Sequence, residues 1–265
     1  MRKYALLIQA RAGSKRVIGK NMRICGGKPL LEWNLIAATN CKYIDRVFLS
    51  TDGEDMKALA ESYGVTVFNR PKQLFYDHAG GGICTIHGIK RMQEVCDFTH
   101  LVTMFPTSPM ITGKHLTDGI TKFNTYPTAE ALGCLYPIEK SVSYLNHIKI
   151  LAEGMMVNMF GLHGQPIVYS QLKYYFTNGG FGIHDITKMN LANKEITDDM
   201  NILDINELYK DEIRALCTEG IHYNTPTILG FEITKEDALD INTEFDIKLA
   251  NLLISEREAN NGRRL

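Results

Sequence analysis

The sequence predicts an α/β protein built on a Rossmann-like, mostly parallel sheet with helices on its faces. Short apolar runs alternate with amphipathic segments through the first half of the chain, as they do where helices join parallel strands. The chain has 265 residues, of which 45% are hydrophobic and 22% charged. These values are typical of globular proteins with a sizeable core. No linker composition or internal repeat divides the chain, so we expect one domain over 1–265.

The first half of the chain predicts four strands, each followed by a helix. Strand 4–8 is an apolar run, and Pro29 stands where the first turn of the next helix is expected. Met56, Leu59 and Ala60 recur at helical spacing, and Gly64 follows as a helix-ending residue. The predicted elements are strand 4–8, helix 29–40, strand 46–50, helix 54–63, strand 66–69, helix 82–96, strand 101–105 and helix 112–123.

The second half of the chain is less regular. Between Ser141 and Gly182, two aromatic-rich, strand-like segments surround glycine turns at 153–154 and 163–164. We interpret about 138–190 as a small antiparallel insertion and a candidate dimerisation arm. Its apolar run 155–160 is a candidate subunit contact, and a core strand explains that run equally well.

The C-terminal part of the chain predicts two more elements. A returning strand is expected over 227–232. A last helix follows, and its apolar stripe is predicted to contain Phe245, Leu249, Leu252 and Leu253.

The charge balance and the cysteines exclude several classes of protein. With 29 basic and 30 acidic residues the net charge is -1, so no global field draws the chain to nucleic acid or to a membrane. The six cysteines are scattered without a C-x-x-C pair, and we interpret them as reduced core thiols. No apolar run reaches the ~20 residues of a membrane helix. We therefore expect a soluble, cytoplasmic protein.

The loop after the first strand is the clearest candidate site. Segment 9–21 carries four cations and two glycines, and ligands of doubly wound sheets bind beyond the carboxyl ends of the strands. Backbone N–H groups near Gly13 can contact phosphate oxygens, while Arg11, Lys15 and Lys20 offset the charge of a triphosphate. Neither the Walker A motif nor G-x-G-x-x-G is present. The alternative is a solvated basic loop without a ligand, and the position after strand one favours the anion site.

Seven motifs along the chain occur in the order of one known family. They are A-R-A-G-S-K-R at 10–16 followed by K-N at 20–21, G-K-P-L-L at 27–31, S-T-D at 50–52, R-P at 70–71, P-T-S-P at 106–109, N-G at 178–179 and D-I-N-T-E-F-D at 240–246. On these motifs the chain resembles the acylneuraminate cytidylyltransferases, which make CMP-sialic acid and the related CMP-pseudaminic and CMP-legionaminic acids. The resemblance covers nearly the whole chain. It implies a fold of the nucleotide-diphospho-sugar transferase type, CTP and an acidic nonulosonic sugar as substrates, Mg²⁺ as cofactor, and a homodimer.

The resemblance also implies roles for individual residues. It implies catalytic roles for Arg11, Lys20 and Asp240. Nucleotide contacts are implied for Arg11, Gly13, Ser14, Lys15, Asn21, Arg70, Ala79 and Gly80. Sugar contacts are implied for Phe105, Thr107, Ser108, Lys140, Tyr175 and Asn178, and magnesium ligands for Asp240 and Asn242. Without the resemblance, Arg70 reads as a surface arginine before a turn and Asp240 as the N-cap of the last helix.

Three positions depart from the family pattern. Phe105 stands where the family usually has a glutamine that contacts the sugar, and a phenyl ring cannot form that hydrogen bond. Asn242 replaces a usual second aspartate, which keeps an oxygen ligand but removes a charge. Gly80, Gly81 and Gly82 replace usual serines. We predict an active transferase with an altered sugar preference.

Two other functions remain open at this stage. One is a sugar-1-phosphate nucleotidyltransferase that uses another NTP such as GTP, because that class shares the sheet and a basic glycine loop. The other is a non-catalytic homologue that binds a sugar nucleotide, which the departures at Phe105 and Asn242 motivate.

Overall fold

A computed structural model of the protein describes residues 2–14, 16–75, 80–137, 148–150, 156–158, 175–176, 180–187, 189, 191, 196, 200–216 and 228–262. Its strands are β1 Tyr4–Ala10, β2 Ile24–Cys25, β3 Lys28–Pro29, β4 Ile44–Thr51, β5 Thr66–Asn69, β6 His100–Met104, β7 Ala131–Pro137, β8 Ile148–Ile150, β9 Met156–Asn158, β10 Tyr175–Phe176, β11 Phe181–Asp185 and β12 Ile228–Glu232. Its α-helices are α1 Leu30–Thr39, α2 Glu54–Ser62, α3 Gly80–Gln93, α4 Gly113–Asn124, α5 Ile202–Leu208, α6 Lys210–Leu216 and α7 Glu244–Gly262.

The main sheet contains eight of the described strands and is mostly parallel. Seven follow the order β10-β7-β11-β6-β1-β4-β5, and β12 pairs with β7. β1 runs parallel to β4 and β6, whereas β11 is antiparallel to both β6 and β7. The α/β fold class and the mostly parallel sheet predicted from the sequence are therefore confirmed.

Two apolar layers enclose the sheet. Every residue of β1 is buried, which explains its continuous apolar run, because a central parallel strand is covered on both faces. On one face Leu6 and Ile8 pack in a core that includes residues of α1, α2 and α4. On the other face Leu7 packs in a core that includes residues of α3 and α5. The carboxyl ends of β1, β4, β5 and β6 lie at one edge of this sandwich, since these strands are parallel.

The predicted elements of the first half are present with shifted ends. α3 begins at Gly80 rather than at 82. β6 ends at Met104, so the prediction that Phe105 closes this strand is wrong. The sequence did not predict β7, β11, α5 or α6.

The stripe predicted for the last helix is correct only in part, because Leu253 packs against the buried cluster of α7 whereas two of its other residues are exposed. Phe245 is 71% exposed and Leu252 is 56% exposed. The buried face of α7 consists instead of Ile247, Ala250 and Ile254, which pack with Cys25 and Leu30. The smaller and β-branched side chains face inward because α7 lies close to the turn between β2 and β3, where Asn251 Oδ1 accepts a hydrogen bond of 2.8 Å from the Gly26 N–H.

The predicted insertion contains a short antiparallel ribbon. β8 pairs with β9, with Ile148 opposite Asn158. Part of the apolar run 155–160 thus lies in this ribbon, and in the described part of the chain β9 is not paired with the main sheet. The other residues of the run lie outside the described residues, as do both predicted glycine turns.

The described cysteines are Cys25, Cys41, Cys84, Cys96 and Cys134, and all are free thiols. Four of them are buried, as the sequence predicts for core thiols. In the described part of the chain, every helix is too short or too polar to span a bilayer.

Candidate functional site

The loop after β1 is held at the carboxyl edge of the sheet by two hydrogen bonds. The Asn21 side chain donates from Nδ2 to the Arg11 carbonyl at 2.8 Å, and Asn21 itself is buried. The Ala12 N–H donates to Asp52 Oδ1 at 2.7 Å. Asp52 directly follows β4, so the neighbouring strand fixes the start of the loop. The loop backbone is therefore preorganised, and Asn21 acts by positioning it.

Lys20 connects this loop to the C-terminal part of the chain. Its Nζ donates to the Ile241 carbonyl at 2.8 Å, across 221 positions of sequence. Burial lowers the pKa of Lys20, and the cations Arg11 and Arg16 lower it further, while the carboxylates of Asp240 and Asp246 act in the opposite direction. Lys20, Arg11 and Asp240 therefore lie within electrostatic reach of one another. A half-buried ammonium of this kind is poorly solvated and suited to an anion.

The segment that carries Asp240 is tied to the loop after β6. The Ile241 N–H donates to the Thr107 carbonyl at 2.8 Å. At the start of α7, the Thr243 N–H donates to Asp246 Oδ2 at 2.7 Å, and the Asp246 N–H donates to Thr243 Oγ1 at 3.3 Å. This reciprocal pair caps α7. The alternative that made Asp240 the N-cap is therefore wrong, and its carboxylate is available for another purpose.

Asp240 and Asn242 form a pair of oxygen-bearing side chains. Asn242 Nδ2 donates to Asp240 Oδ2 at 2.6 Å. The residues described contain no group of three or more His, Cys, Asp or Glu that could hold a metal ion. Mg²⁺ fits this donor set nonetheless, because it usually takes one or two carboxylates and completes its shell with phosphate oxygens and water. The pair could thus hold Mg²⁺ in the presence of a nucleotide.

Arg70 lies inside the molecule, immediately after β5. It is 7% exposed, and its Nε donates to Ser50 Oγ at 3.4 Å. The interpretation as a surface arginine is therefore wrong. Arg70 lines an open cleft of about 820 Å³, together with Asp52, Lys57, Asn69, Pro71, Lys72, Gln73 and Phe75. The cleft opens beside the end of β4, where Asp52 also anchors the β1 loop.

The N-terminus of α3 faces the same edge. Gln9 of β1 is buried and donates from Nε2 to Thr85 Oγ1 at 2.6 Å. Thr85 Oγ1 in turn donates to the Gly81 carbonyl at 2.9 Å. Gly80 begins the helix with φ of 69°, a conformation that favours glycine. The exposed first turn therefore presents backbone N–H groups near the end of β1, where the helix dipole favours an anion.

The loop after β6 contains an exposed aromatic ring and a buried hydroxyl. Phe105 is 43% exposed at the carboxyl edge. Ser108 is only 1% exposed, and its Oγ accepts a hydrogen bond of 3.0 Å from the Gly180 N–H. Ser108 thus positions the residue that precedes β11, and its predicted contact with the sugar stays a prediction. The Thr107 carbonyl accepts the hydrogen bond from the Ile241 N–H and so holds the C-terminal segment.

The structure brings together only part of the predicted site. Arg11, Gly13, Ser14, Lys20, Asn21, Arg70, Gly80, Phe105, Thr107, Asp240 and Asn242 all lie in segments at the carboxyl edge of the sheet. Tyr175 lies in β10, which pairs with β7, and its side chain is outside the described part. Lys15, Ala79, Lys140 and Asn178 also lie outside the described residues.

Sequence reasoning missed the anchoring role of Asp52 and the cations that flank the cleft. Asp52 is in the S-T-D motif, so the motif order was the only signal for it. Lys57 and Lys72 line the cleft, and no spacing pattern distinguishes them from solvated lysines.

Known proteins with similar sequences carry the names of cytidylyltransferases or CMP-sugar synthases. Residues 5–79 match a family model described as cytidylyltransferase. N-acylneuraminate cytidylyltransferase of Escherichia coli is 26% identical over 249 residues, which cover 94% of this chain and 51% of that protein. CMP-N,N'-diacetyllegionaminic acid synthase of Legionella pneumophila is 25% identical over 244 residues, covering 90% of this chain and 97% of that protein. Pseudaminic acid cytidylyltransferase of Campylobacter jejuni is 30% identical over 149 residues, 54% of this chain and 64% of that protein. The chain thus spans about half the length of the Escherichia coli relative.

Solved structures share the fold at low sequence identity. CMP:2-keto-3-deoxy-manno-octonic acid synthetase, solved with CTP, aligns with a TM-score of 0.65 at 16% identity over 96% of this chain and 99% of that one. A 4-diphosphocytidyl-2C-methyl-D-erythritol synthase from Anaerococcus prevotii aligns with a TM-score of 0.58 at 15% identity over 96% of both chains. These structures support the fold, and the sequence relatives confirm the resemblance of this chain to the acylneuraminate cytidylyltransferases that was drawn from its motifs.

Proposed function

We propose that this protein is a cytidylyltransferase that joins CTP to an acidic nonulosonic sugar and releases pyrophosphate. The observation that carries the proposal is the hydrogen bond from Lys20 Nζ to the Ile241 carbonyl, 2.8 Å long. It brings the cationic β1 loop beside Asp240, so that a triphosphate and a divalent cation can share one place. The names of the three relatives found by sequence, which pair a cytidylyl or CMP group with an acidic sugar, support the choice of substrates.

The chemistry requires mainly positioning and charge neutralisation. The anomeric hydroxyl of the sugar attacks the α-phosphorus of CTP, the bond from that phosphorus to the bridging oxygen of the β-phosphate breaks, and pyrophosphate leaves. Lys20 and Arg11 neutralise charge that develops on the leaving phosphates. Lys15, Gly13 and Ser14 complete the loop that holds the triphosphate. Arg70 and the cleft beside it bind the nucleoside end, with Ala79 and Gly80 against the base.

Asp240 and Asn242 would hold Mg²⁺ through their side-chain oxygens. When bound, the ion supplies Lewis-acid neutralisation of the phosphates. The protein contributes the carboxylate, and the ammonium group of Lys20 lies within electrostatic reach of it. Asn242 carries no charge, and we therefore expect weaker binding of Mg²⁺ than a pair of carboxylates would give.

A substrate matrix tests the function. Pyrophosphate release is measured with each of the four NTPs against N-acetylneuraminic, pseudaminic and legionaminic acids, with Mg²⁺ present. We expect release with CTP and at least one of these sugars. Release only with GTP and a sugar-1-phosphate would replace the proposal by the other transferase class. Thermal stabilisation by CTP without any release would indicate a non-catalytic binding protein.

A single substitution tests the observation that carries the proposal. We expect Lys20→Ala to lower kcat/KM about 10²–10³-fold, as the loss of one preorganised cation does at phosphoryl groups. Lys114→Ala is the matched control, because Lys114 forms only an exposed ion pair with Asp118 on α4. Unchanged turnover in Lys20→Ala would remove the basis of the proposal.

We further propose that the chain forms a homodimer through the insertion and acts in the cytoplasm, where CTP is present. The β8–β9 ribbon is too short to be stable by itself, which supports a role in packing against another surface. Light scattering during size-exclusion chromatography should give twice the chain mass. Deleting 148–158 should give a monomer, and a monomeric wild-type chain would contradict the dimer.

A further inference from the structure

A row of small residues crosses four adjacent strands of the main sheet. Thr103 of β6 pairs with Gly182 of β11, Gly182 pairs with Gly133 of β7, and Gly133 pairs with Gly230 of β12. Directly paired residues point to the same face of a sheet. Thr103 shares its face with Leu101, which packs in the same core as α3. The row is therefore a floor of bare backbone on the α3 side, and we call it the glycine trough.

In the described part of the chain, the glycine trough is open over Gly133 and covered by side chains over Gly182 and Gly230. A Cβ atom at Gly133 would meet nothing within 4 Å in the described part of the chain. At Gly230 a Cβ would lie 2.1 Å from Leu135 Cδ1. At Gly182 it would lie 3.0 Å from His184 Nε2 and 3.1 Å from Thr103 Oγ1. Space for a ligand group thus lies over β7, with polar atoms on the β11 and β6 side.

His184 is a buried polar side chain that the proposed reaction does not use. It is 5% exposed, and its ring reaches back along β11 so that Nε2 lies over Gly182. Its Nδ1 is buried without a hydrogen-bond partner. Burial lowers the pKa of His184 to about 4, so the ring is neutral at physiological pH. Nε2 is the His184 nitrogen that faces the trough, so a group bound there would pair with Nε2.

The trough is close to the proposed reaction. Thr103 precedes Phe105 by two residues, and the exposed Phe105 ring lies where β6 reaches the carboxyl edge. The next residues of the same loop include Thr107, whose carbonyl accepts the hydrogen bond from the Ile241 N–H beside Asp240. A sugar placed between Phe105 and Asp240 can therefore extend a substituent over Gly133, beside the polar atoms of His184 and Thr103 that cover Gly182.

We propose that the glycine trough is a specificity subsite that receives an acylamino substituent of the acidic sugar, with His184 and Thr103 as its hydrogen-bonding partners. This inference rests on the proposed function. A planar amide lies flat on a floor of glycine backbone, and its N–H and C=O match a neutral imidazole and a hydroxyl. Its methyl group is suited to the Leu135 side chain, which covers the neighbouring Gly230. A charged group would gain little from a neutral imidazole.

The test compares two nine-carbon acids that differ only in one group. N-acetylneuraminic acid carries an acetamido group where 2-keto-3-deoxy-nononic acid carries a hydroxyl. We expect the wild-type chain with CTP to prefer the acetamido sugar at least tenfold in kcat/KM, because a site built for a polar group rejects its absence strongly. Equal use of both sugars by the wild type overturns the inference but leaves the proposed function intact. Turnover of no acidic sugar at all overturns the proposed function.

Two variants locate the preference in the trough. Gly133→Ala fills the open space without a clash against the described residues, so Tm should stay unchanged while the preference for the acetamido sugar falls about tenfold. His184→Phe retains an aromatic ring and removes both nitrogens, and it should abolish the same preference without lowering Tm. The KM for CTP should be unchanged in both variants. An equal loss with both sugars, or no loss with either, contradicts the proposal.

Discussion

The nucleotide side and the acceptor side of the molecule are built in different ways. The nucleotide side comprises β1, β4 and β5 with their helices, and its strands pair with neighbours that are close in sequence. The acceptor side comprises β7, β11 and β12, and its trough joins Gly133, Gly182 and Gly230 from three distant segments. The first uses contiguous motifs to hold a common chemical group. The acceptor side uses residues from distant segments to form the space proposed for the sugar substituent.

The two sides place different chemical demands on the chain. A triphosphate and a divalent ion demand cations and a carboxylate at fixed places, and Arg11, Lys20 and Asp240 supply them. A sugar substituent demands only shape and a few hydrogen bonds, which several residue combinations can provide. Phe105, Gly182 and His184 therefore make the acceptor side the region where we expect this protein to be distinctive. The following predictions test that division.

The largest expected effect concerns Asp240, which belongs to the nucleotide side although it lies near the C-terminus. Asp240→Ala should lower kcat about 10²–10³-fold, because it removes the proposed magnesium carboxylate and the acidic neighbour of Lys20. Mg²⁺ titration of activity is the measurement, and the midpoint should move to higher concentration. Glu236→Ala, an exposed acidic residue in the same connection, is the control. Normal activity in Asp240→Ala would contradict the assignment of Asp240 to the nucleotide side.

The next effect concerns Arg70. Arg70→Ala should raise the KM for CTP about tenfold and leave the KM for the sugar unchanged, because Arg70 lines the cleft next to β4 and β5 rather than the trough. Arg70→Lys should recover part of the loss, since it restores the charge without the planar guanidinium. Initial-rate kinetics with each substrate varied in turn measure the split. A larger change in the KM for the sugar than in the KM for CTP would contradict the assignment of Arg70 to the nucleotide side.

Lys20 should produce a characteristic pH dependence. Burial lowers its pKa from the ordinary 10.5, so the charged form is lost as pH rises through the lowered value. We therefore expect kcat/KM of the wild type to fall at alkaline pH earlier than titration of an exposed lysine predicts. Lys20→Arg, which stays charged above pH 12, should have a lower maximum and a plateau that extends to higher pH. Identical alkaline limbs in both proteins would argue against Lys20 as the titrating group.

The smallest effect at neutral pH concerns His87, the buried histidine of the nucleotide side. Burial lowers its pKa to about 4, and Arg91, Arg70 and Lys90 act in the same direction. Because the folded pKa lies below the unfolded value, the stability contribution is present above about pH 6.5 and is lost as pH falls towards 4, by up to ~1.4 kcal/mol per pH unit.

His87→Leu should therefore reduce the acid dependence of the free energy of unfolding, measured with urea between pH 7.5 and 4.5. It should not change the sugar preference, whereas His184→Phe should change both. If His87→Leu altered the sugar preference, the two sides could not be treated as independent. An unchanged acid dependence would mean that His87 has the same pKa in the folded and unfolded chain, which would contradict the effect of burial.

The sequence by itself determined the elements and motifs that are local. The run 4–8 had to be a buried strand, and the cationic segment after it had to lie at the carboxyl edge, because a parallel strand fixes where its following loop begins. Gly64 ended its helix as expected, with φ of 71°. The stripe predicted for α7 was partly wrong, because a local pattern does not specify the surface against which a helix packs. Helical periodicity is compatible with several apolar faces. The packing of α7 against Cys25 and Leu30 determines that Ile247, Ala250 and Ile254 are the buried residues.

Only the tertiary structure decided which distant residues meet. Lys20 and Ile241 are 221 positions apart, and nothing in either local pattern specifies their contact. The burial of Arg70 and the alignment of three glycines across β11, β7 and β12 are likewise results of strand order. Propensity and spacing act over a few residues, whereas sheet register and packing join the whole chain, and the geometry of the site depends on the latter.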